Sequence, residues 1–210
     1  PYAEIKPIAL FCNLVVSSVG FWNFYKAGYF DAKKVLPFAA LSVPMAFIGA
    51  KVPIGKEAFT LLLGFSLAMA GLRIFFLRKD RGEGRVLSQK EWWIYGLPIG
   101  ALIGFFSGLI GIGGGIFLAP ILILTRWAKL KEASAAAAFF IFVNSLSGFI
   151  SKFKPEVFTD HNLFILGLAA LAGGVVGSSL GARRLPEIRM QQVLAGLLLF
   201  VSANLILQVL

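Results

Sequence analysis

The chain is short of what a soluble enzyme is made from. Among its 210 residues are one cysteine, one histidine and ten acids. One thiol permits no disulfide, and one thiol with one imidazole cannot build a four-ligand metal site. No metal and no cofactor is expected. Charged residues make up 14% of the chain, where an ordinary soluble domain carries about 25%. Ten acids and twenty bases cannot give a solvated shell to a chain that is 58% hydrophobic with a mean hydropathy of +0.84. A water-soluble catalyst is the class this excludes. What the chain has in quantity is 21 Phe, 23 Gly and 9 Pro. That mixture suits helices in lipid, where Gly and Pro are better tolerated than in water.

The few charges are clustered. Charge-free runs cover 7–25, 35–50, 58–72, 92–125, 133–151, 161–182 and 190–210. A membrane helix needs roughly 20 apolar residues. Six runs fit one span each, provided that Lys51 and Arg73 snorkel at the ends of theirs. The 34 residues of 92–125 are too many for one span and few for two.

The net charge of +10 raises nucleic acid as a partner, but the bases lie in short loops between apolar runs. That distribution anchors loops on the cytoplasmic side of a bilayer, so the expected partner is lipid and no nucleic acid is expected. The lone Cys12 sits inside the first run and says nothing about redox compartment. No signal-peptide pattern is visible, and the chain starts at Pro1.

Shifting the sequence against itself by 128 residues gives ten identities in the first 49 positions, among them Glu4/Glu132, Phe11/Phe139, Ser17/Ser145, Gly20/Gly148, Phe21/Phe149 and Gly49/Gly177. The order of features repeats too: a polar-studded span, a loop with Lys, a Gly-rich span ending in a basic turn, then a Leu-rich span. The expected organisation is an incomplete first repeat over 1–77, a hydrophilic linker over 78–91 and a second repeat over 92–210. The first repeat has no counterpart of 92–125, whose match is expected upstream of Pro1.

Counting Lys and Arg tests how 92–125 is threaded. If it crosses once, the two sides receive 11 and 9 bases; if it enters and returns, they receive 15 and 5. Only the returning path obeys the positive-inside rule, and it inverts the second repeat relative to the first, as in many secondary transporters.

Within that run, Gly96, Gly100, Gly104 and Gly108 recur every four residues and line one helix face. Such a ribbon lets another backbone approach, and packing is its expected role. Trp92, Trp93 and Tyr95 are expected to anchor the entry at the headgroups. The string Gly111-Ile112-Gly113-Gly114-Gly115 follows. Consecutive glycines cost about 1 kcal/mol each in a helix relative to Ala, so a break is expected at 111–115. In lipid the freed backbone groups need partners, so such a break belongs where it is buried in protein or faces a wet cavity. It leaves the N-terminus of a short helix, starting near Ile116, inside the membrane. Bare N–H groups and the helix dipole make that end suited to an anion; a kink for packing is the alternative.

The stretches GFFSGLIGIGGGIFLAPILIL, ASAAAAFFIFVNSLSGFISKF and GLAALAGGVVGSSLGARRLP resemble the signature region of the TauE/SafE sulfite exporter family. The resemblance covers most of 96–210, and the first repeat resembles that family's N-terminal half without its glycine-rich opening helix. It implies a multi-span secondary transporter of small anions such as sulfite or organosulfonates, in the inner or plasma membrane, and not an enzyme. A membrane scaffold whose glycines only pack helices is the alternative. A homo-oligomer is compatible with either.

Few polar residues fall inside the spans. Asn144 and Ser147 lie three apart and share a face, with Ser145 turned away; Ser17 matches Ser145 in the repeat. Each is either interhelical glue or a donor to a bound oxyanion. The candidate substrate-binding set is thus Gly111, Gly113, Gly114, Gly115, Asn144, Ser147 and Ser17. No acid lies within the runs and His161 is at the edge of one, which leaves no proton relay inside the membrane and suits an anionic cargo. Gly177-Ser178-Ser179-Leu180-Gly181 matches the G-x-S-x-G pattern of serine hydrolases, but His161 is far along the same run and no acid is near, so close packing is the expected role. The expected fold is an all-α, polytopic membrane protein of two related repeats with a glycine-broken segment.

Overall fold

Local chemistry sets where the long helices begin. The Asp31 carboxylate accepts from Lys33 N at 3.0 Å and caps the second helix. Ser88 and Glu91 form a reciprocal capping box at the third: Ser88 N donates to Glu91 Oε2 at 2.8 Å, and Glu91 N to Ser88 Oγ at 3.3 Å. Pro37 has no N–H to offer the carbonyl four residues back, and Gln89 Nε2 donates to that Lys33 carbonyl at 3.2 Å instead.

The computed structural model describes the chain apart from residues 1, 53–54, 56, 58–59, 62–63, 66, 69–70, 73, 75–86, 111–112, 152–160 and 208–210. Most of the expected linker 78–91 therefore lies outside the described residues, as does Gly111. The helices are α1 (Tyr2–Lys26), α2 (Ala32–Lys51), α3 (Gln89–Ile110), α4 (Gly115–Leu124), α5 (Leu130–Ser151), α6 (His161–Arg183) and α7 (Glu187–Leu207). The described residues within 57–74 are helical too, and no strand occurs among the described residues. Among the described residues, five helices, α2, α3, α5, α6 and α7, are long and apolar enough to cross a membrane. The fold is all-α and polytopic, and the chain is a multi-pass membrane protein.

Three helices run parallel at its centre. The glycine ribbon of α3 lies on the backbone of α2: a Cβ on Gly100, Gly104 or Gly108 would overlap the carbonyl oxygen of Phe38, Ser42 or Ala46, and one on Gly96 would stand 2.7 Å from Pro37 Cβ. Gly49 reciprocates against the Phe105 carbonyl. In lipid, where burial of apolar surface gives no drive, this backbone approach is what holds two helices. Helix α5 ties to the other side of α2 through Ser147 Oγ donating to Val43 O at 2.8 Å and Ser151 Oγ donating to Phe47 O at 3.3 Å.

Around this centre α1 packs antiparallel to α5, with Phe21 on Phe139 and Phe11 on Phe149 at opposite ends. Helix α6 runs alongside α1, joined by Asn23 Nδ2 donating to Ser178 Oγ at 2.7 Å. Ser178 in turn donates to Gly174 O, so the G-x-S-x-G string ties α6 to α1. The outward faces of α6 and α7 expose Ile165, Leu168, Val176, Val193 and Phe200, a hydrocarbon-facing surface.

The two ends of 92–125 meet. Trp127, just after α4, lies 5.8 Å from Trp92 and 5.5 Å from Tyr95 between ring centroids. The segment enters, breaks and returns to its starting side. There it joins the start of α2, where Phe38 meets Trp92 at 6.0 Å. Lys131 adds the ends of α1 and α6, with Nζ donating to Tyr29 Oη and Ala182 O at 3.4 Å each. This is the side to which the returning path gives 15 of the 20 bases.

Candidate functional site

The break has a defined backbone. Gly113 and Gly114 have φ of +78° and +74°, a left-handed pair that L-residues adopt only at a cost of about 1–2 kcal/mol each. Gly114 is the N-cap of α4, with no side-chain cap. The first bonds of that helix run from Phe117 N and Leu118 N to Gly114 O. The N–H groups of Gly114, Gly115 and Ile116 therefore precede the intrahelical ladder and carry the positive end of the helix dipole.

This end lies at mid-depth. Gly114 packs against Ser107 and Ile103 of α3, and Gly113 and Gly115 against Ile141 of α5. Ile141 lies at the middle of α5, and Ile103 and Ser107 lie in the last two turns of α3, where the membrane segment breaks. At the break α3 and α5 contribute Ser107 and Ser145, and Ser42 of α2 and Asn144 of α5 lie between their own helices; all four are essentially inaccessible to solvent. Ser42 Oγ donates to Asn144 Oδ1 at 2.7 Å, across α2 and α5. Asn144 Nδ2 and Ser145 Oγ have no hydrogen-bond partner. A buried polar group without a partner costs about 1–3 kcal/mol, and such groups are rare in folded proteins.

Ser145 stands apart from the other hydroxyls. Ser17, Thr125, Ser134 and Ser178 each donate to the carbonyl four residues back on their own helix. Ser145 does not, and its Oγ lies 2.6 Å from where a Cβ on Gly113 would stand. It faces the break.

Of the residues singled out by sequence, Gly113, Gly114 and Gly115 form the break, while Gly111 lies outside the described residues. Asn144 accepts from Ser42 of α2 and is not brought against the glycines. Ser147 shares the α2-facing side with it, but its hydroxyl is committed to Val43 O and serves as an interhelical tie. The Ser17 hydroxyl turns back to Asn13 O within α1. Sequence reasoning missed Ser42 and Ser107 and turned Ser145 away. The helical period does set Ser145 apart from Asn144 and Ser147, but only the return of α4 along α5 reveals that its own face meets the glycines.

Among the described residues of α2, α3, α4 and α5, no charged side chain lies within the charge-free runs that meet here. Those runs, 35–50, 92–125 and 133–151, carry no Lys, Arg, His, Asp or Glu. At the ends where α2 and α5 begin, Lys34 pairs with Glu132 at 3.4 Å and with Asp31 at 3.9 Å. No group of three or more potential metal ligands occurs among the described residues.

Residues 1–205 match the sulfite exporter TauE/SafE family. A probable membrane transporter protein, y4hK of Sinorhizobium fredii, is 30% identical over 203 residues, covering 96% of this chain and 82% of its own. YunE of Bacillus subtilis, also a probable membrane transporter protein, is 26% identical over 198 residues, covering 84% of this chain and 70% of its own. A probable membrane transporter protein of Methanocaldococcus jannaschii, MJ0441, is 44% identical over 72 residues, covering 34% of this chain and 26% of its own. No solved structure matches the chain. With the family spanning nearly the whole sequence and a returning, glycine-broken segment at the centre of the fold, the chain belongs to the TauE/SafE family of membrane transporters.

Proposed function

We propose that the protein is a secondary transporter that carries a small oxyanion, of the sulfite or organosulfonate kind, past the glycine break by alternating access. The observation that carries this reading is the start of α4, whose first N–H groups precede its hydrogen-bond ladder, with the unpartnered, buried Ser145 Oγ beside Gly113. Partial charges hold an anion without a formal counter-charge, and binding stays weak enough for release.

The expected repeats support the same reading. Under the offset of 128, α1 falls on α5 and the helical residues of 57–74 fall on α7. Each pair packs antiparallel: Phe11 meets Phe149 and Phe21 meets Phe139, while Gly64 faces Ile206 and Gly71 faces Leu199. Inverted repeats with a discontinuous helix at the midplane are a common plan for secondary transporters.

One observation favours the scaffold reading. The break is closely packed, since a Cβ on Gly114 would stand 2.9–3.0 Å from Ser107, Ile103 and Phe140. Packing alone, however, gives no reason to leave Asn144 and Ser145 without partners. Transport requires α4 to move off α5, and that opening is testable. In a Cys12→Ala background, a Ser107→Cys thiol is expected to react with a membrane-impermeant, sulfonate-bearing methanethiosulfonate reagent, and methanesulfonate is expected to slow it. A thiol inert to that reagent in folded protein assigns the glycines to packing.

A further inference from the structure

We propose that Ser145 and the break together select a singly charged oxyanion over a doubly charged one. The inference rests on the transport reading and adds the charge state of the cargo and a residue that enforces it.

The donors at this point are neutral: the N–H groups of Gly114, Gly115 and Ile116 at the start of α4, and the Ser145 hydroxyl beside Gly113. Every charged residue on α2, α3, α4 and α5 sits at a helix end. These are Lys33, Lys34 and Lys51 on α2, Lys90 and Glu91 on α3, and Lys131 and Glu132 on α5; α4 has none. The described residues of 57–74 and α7 that pack on Ile116 are apolar. The attraction between an ion and fixed dipoles grows in proportion to the ion's charge, whereas the cost of stripping its water grows with the square of that charge. Doubling the charge doubles the gain and quadruples the penalty. A site of dipoles alone therefore accepts the monoanion and leaves the dianion in water.

Ser145 supplies the directional part. Its hydroxyl gives up the bond to the Ile141 carbonyl that a helical serine ordinarily makes, and lies beside Gly113 with no partner. An unmet donor of this kind lowers the stability of the unliganded fold and is satisfied by an oxyanion. This gives a signature that a merely structural serine lacks.

The test uses the whole chain, purified in detergent and reconstituted in proteoliposomes. Methanesulfonate is the monoanionic probe and sulfate the dianionic one. Methanesulfonate is expected to raise the melting temperature and to cross the membrane, with sulfate about tenfold or more weaker in both. Ser145→Ala is expected to melt no lower than the parent without anion, because it removes an unmet hydroxyl. It is expected to lose about tenfold in methanesulfonate affinity, the effect of one hydrogen bond to a charged group. Sulfate binding as well as methanesulfonate, or a Ser145→Ala variant that melts lower and binds unchanged, overturns the selectivity and leaves the break as the site. Neither probe binding nor crossing overturns the transport reading along with it.

Discussion

Replacing Gly114 with Ala is expected to abolish anion flux while leaving expression and membrane insertion as they are. The position has a φ of +74°, which for an L-residue costs about 1–2 kcal/mol. The added methyl would also stand within 3.0 Å of Ser107 Cβ, Ile103 Cγ2 and Phe140 Cε1, side chains of two different helices. Relieving that overlap in a packed interior costs about 1–3 kcal/mol. The two terms act on the break alone, because insertion depends on the apolar content of the segment, which Ala preserves. The variant either straightens toward a continuous helix, removing the bare N–H groups, or keeps the break with its donors displaced. Flux should fall below a tenth of the parent's. Gly173→Ala is the matched control, since a Cβ there meets nothing within 4 Å, and its flux should be unchanged. A Gly114→Ala protein with parental flux would assign the triplet to packing.

The second large effect is expected from the α3 ribbon and is one of stability. A Cβ on Gly104 would overlap the Ser42 carbonyl and stand 2.5–2.6 Å from Ser42 Cα and Oγ; on Gly100 it would overlap the Phe38 carbonyl and stand 2.7 Å from Phe38 Cα. Apart from Ser42 Oγ these neighbours are backbone, which cannot rotate aside as a flexible side chain can. Helices α2 and α3 must therefore separate along their length, loosening the Phe38–Trp92 packing and the Ser42–Asn144 hydrogen bond beside it. Gly100→Ala and Gly104→Ala are each expected to cost about 1–3 kcal/mol, and the double variant is expected to run as aggregate in detergent. Melting followed by tryptophan fluorescence reads this directly, because Trp92 is buried against Phe38. Gly177→Ala, in open surroundings on α6, should melt as the parent does.

Much of this fold was legible in the residues because the membrane imposes few solutions. Charge-free runs of span length fix most of the helices, and the excess length of 92–125 together with the Lys and Arg count points to a returning segment. The meeting of Trp92 with Trp127 is that segment's closure. The glycine ribbon at a spacing of four is likewise a pattern that only a helix face reads. The glycine string predicts a break at 111–115, and the left-handed pair Gly113 and Gly114 falls inside it.

The side-chain half of the site was less legible, for a physical reason. A hydroxyl inside a helix can always bond the carbonyl four residues back, so a lone serine in an apolar run carries no signal about its neighbours. Ser17 uses that option and Ser145 declines it, although the two are matched in the repeat. Ser147 was expected as a donor beside Asn144, and its hydroxyl is engaged with Val43 O on α2. Ser42 and Ser107 gave no pattern of their own; they matter because α2 and α3 carry them to the depth at which α4 begins.

The central claim is that neutral donors at a mid-membrane glycine break pass an anion, and flux tests it most directly. The full chain is reconstituted into proteoliposomes, and uptake is followed across a panel of small oxyanions that includes sulfite, methanesulfonate and sulfate. The account predicts saturable uptake of at least one singly charged anion, absent from protein-free vesicles and lost in Gly114→Ala. Folded protein that moves none of them, with vesicles as tight as protein-free controls, would contradict it and leave the glycines as packing residues of a scaffold.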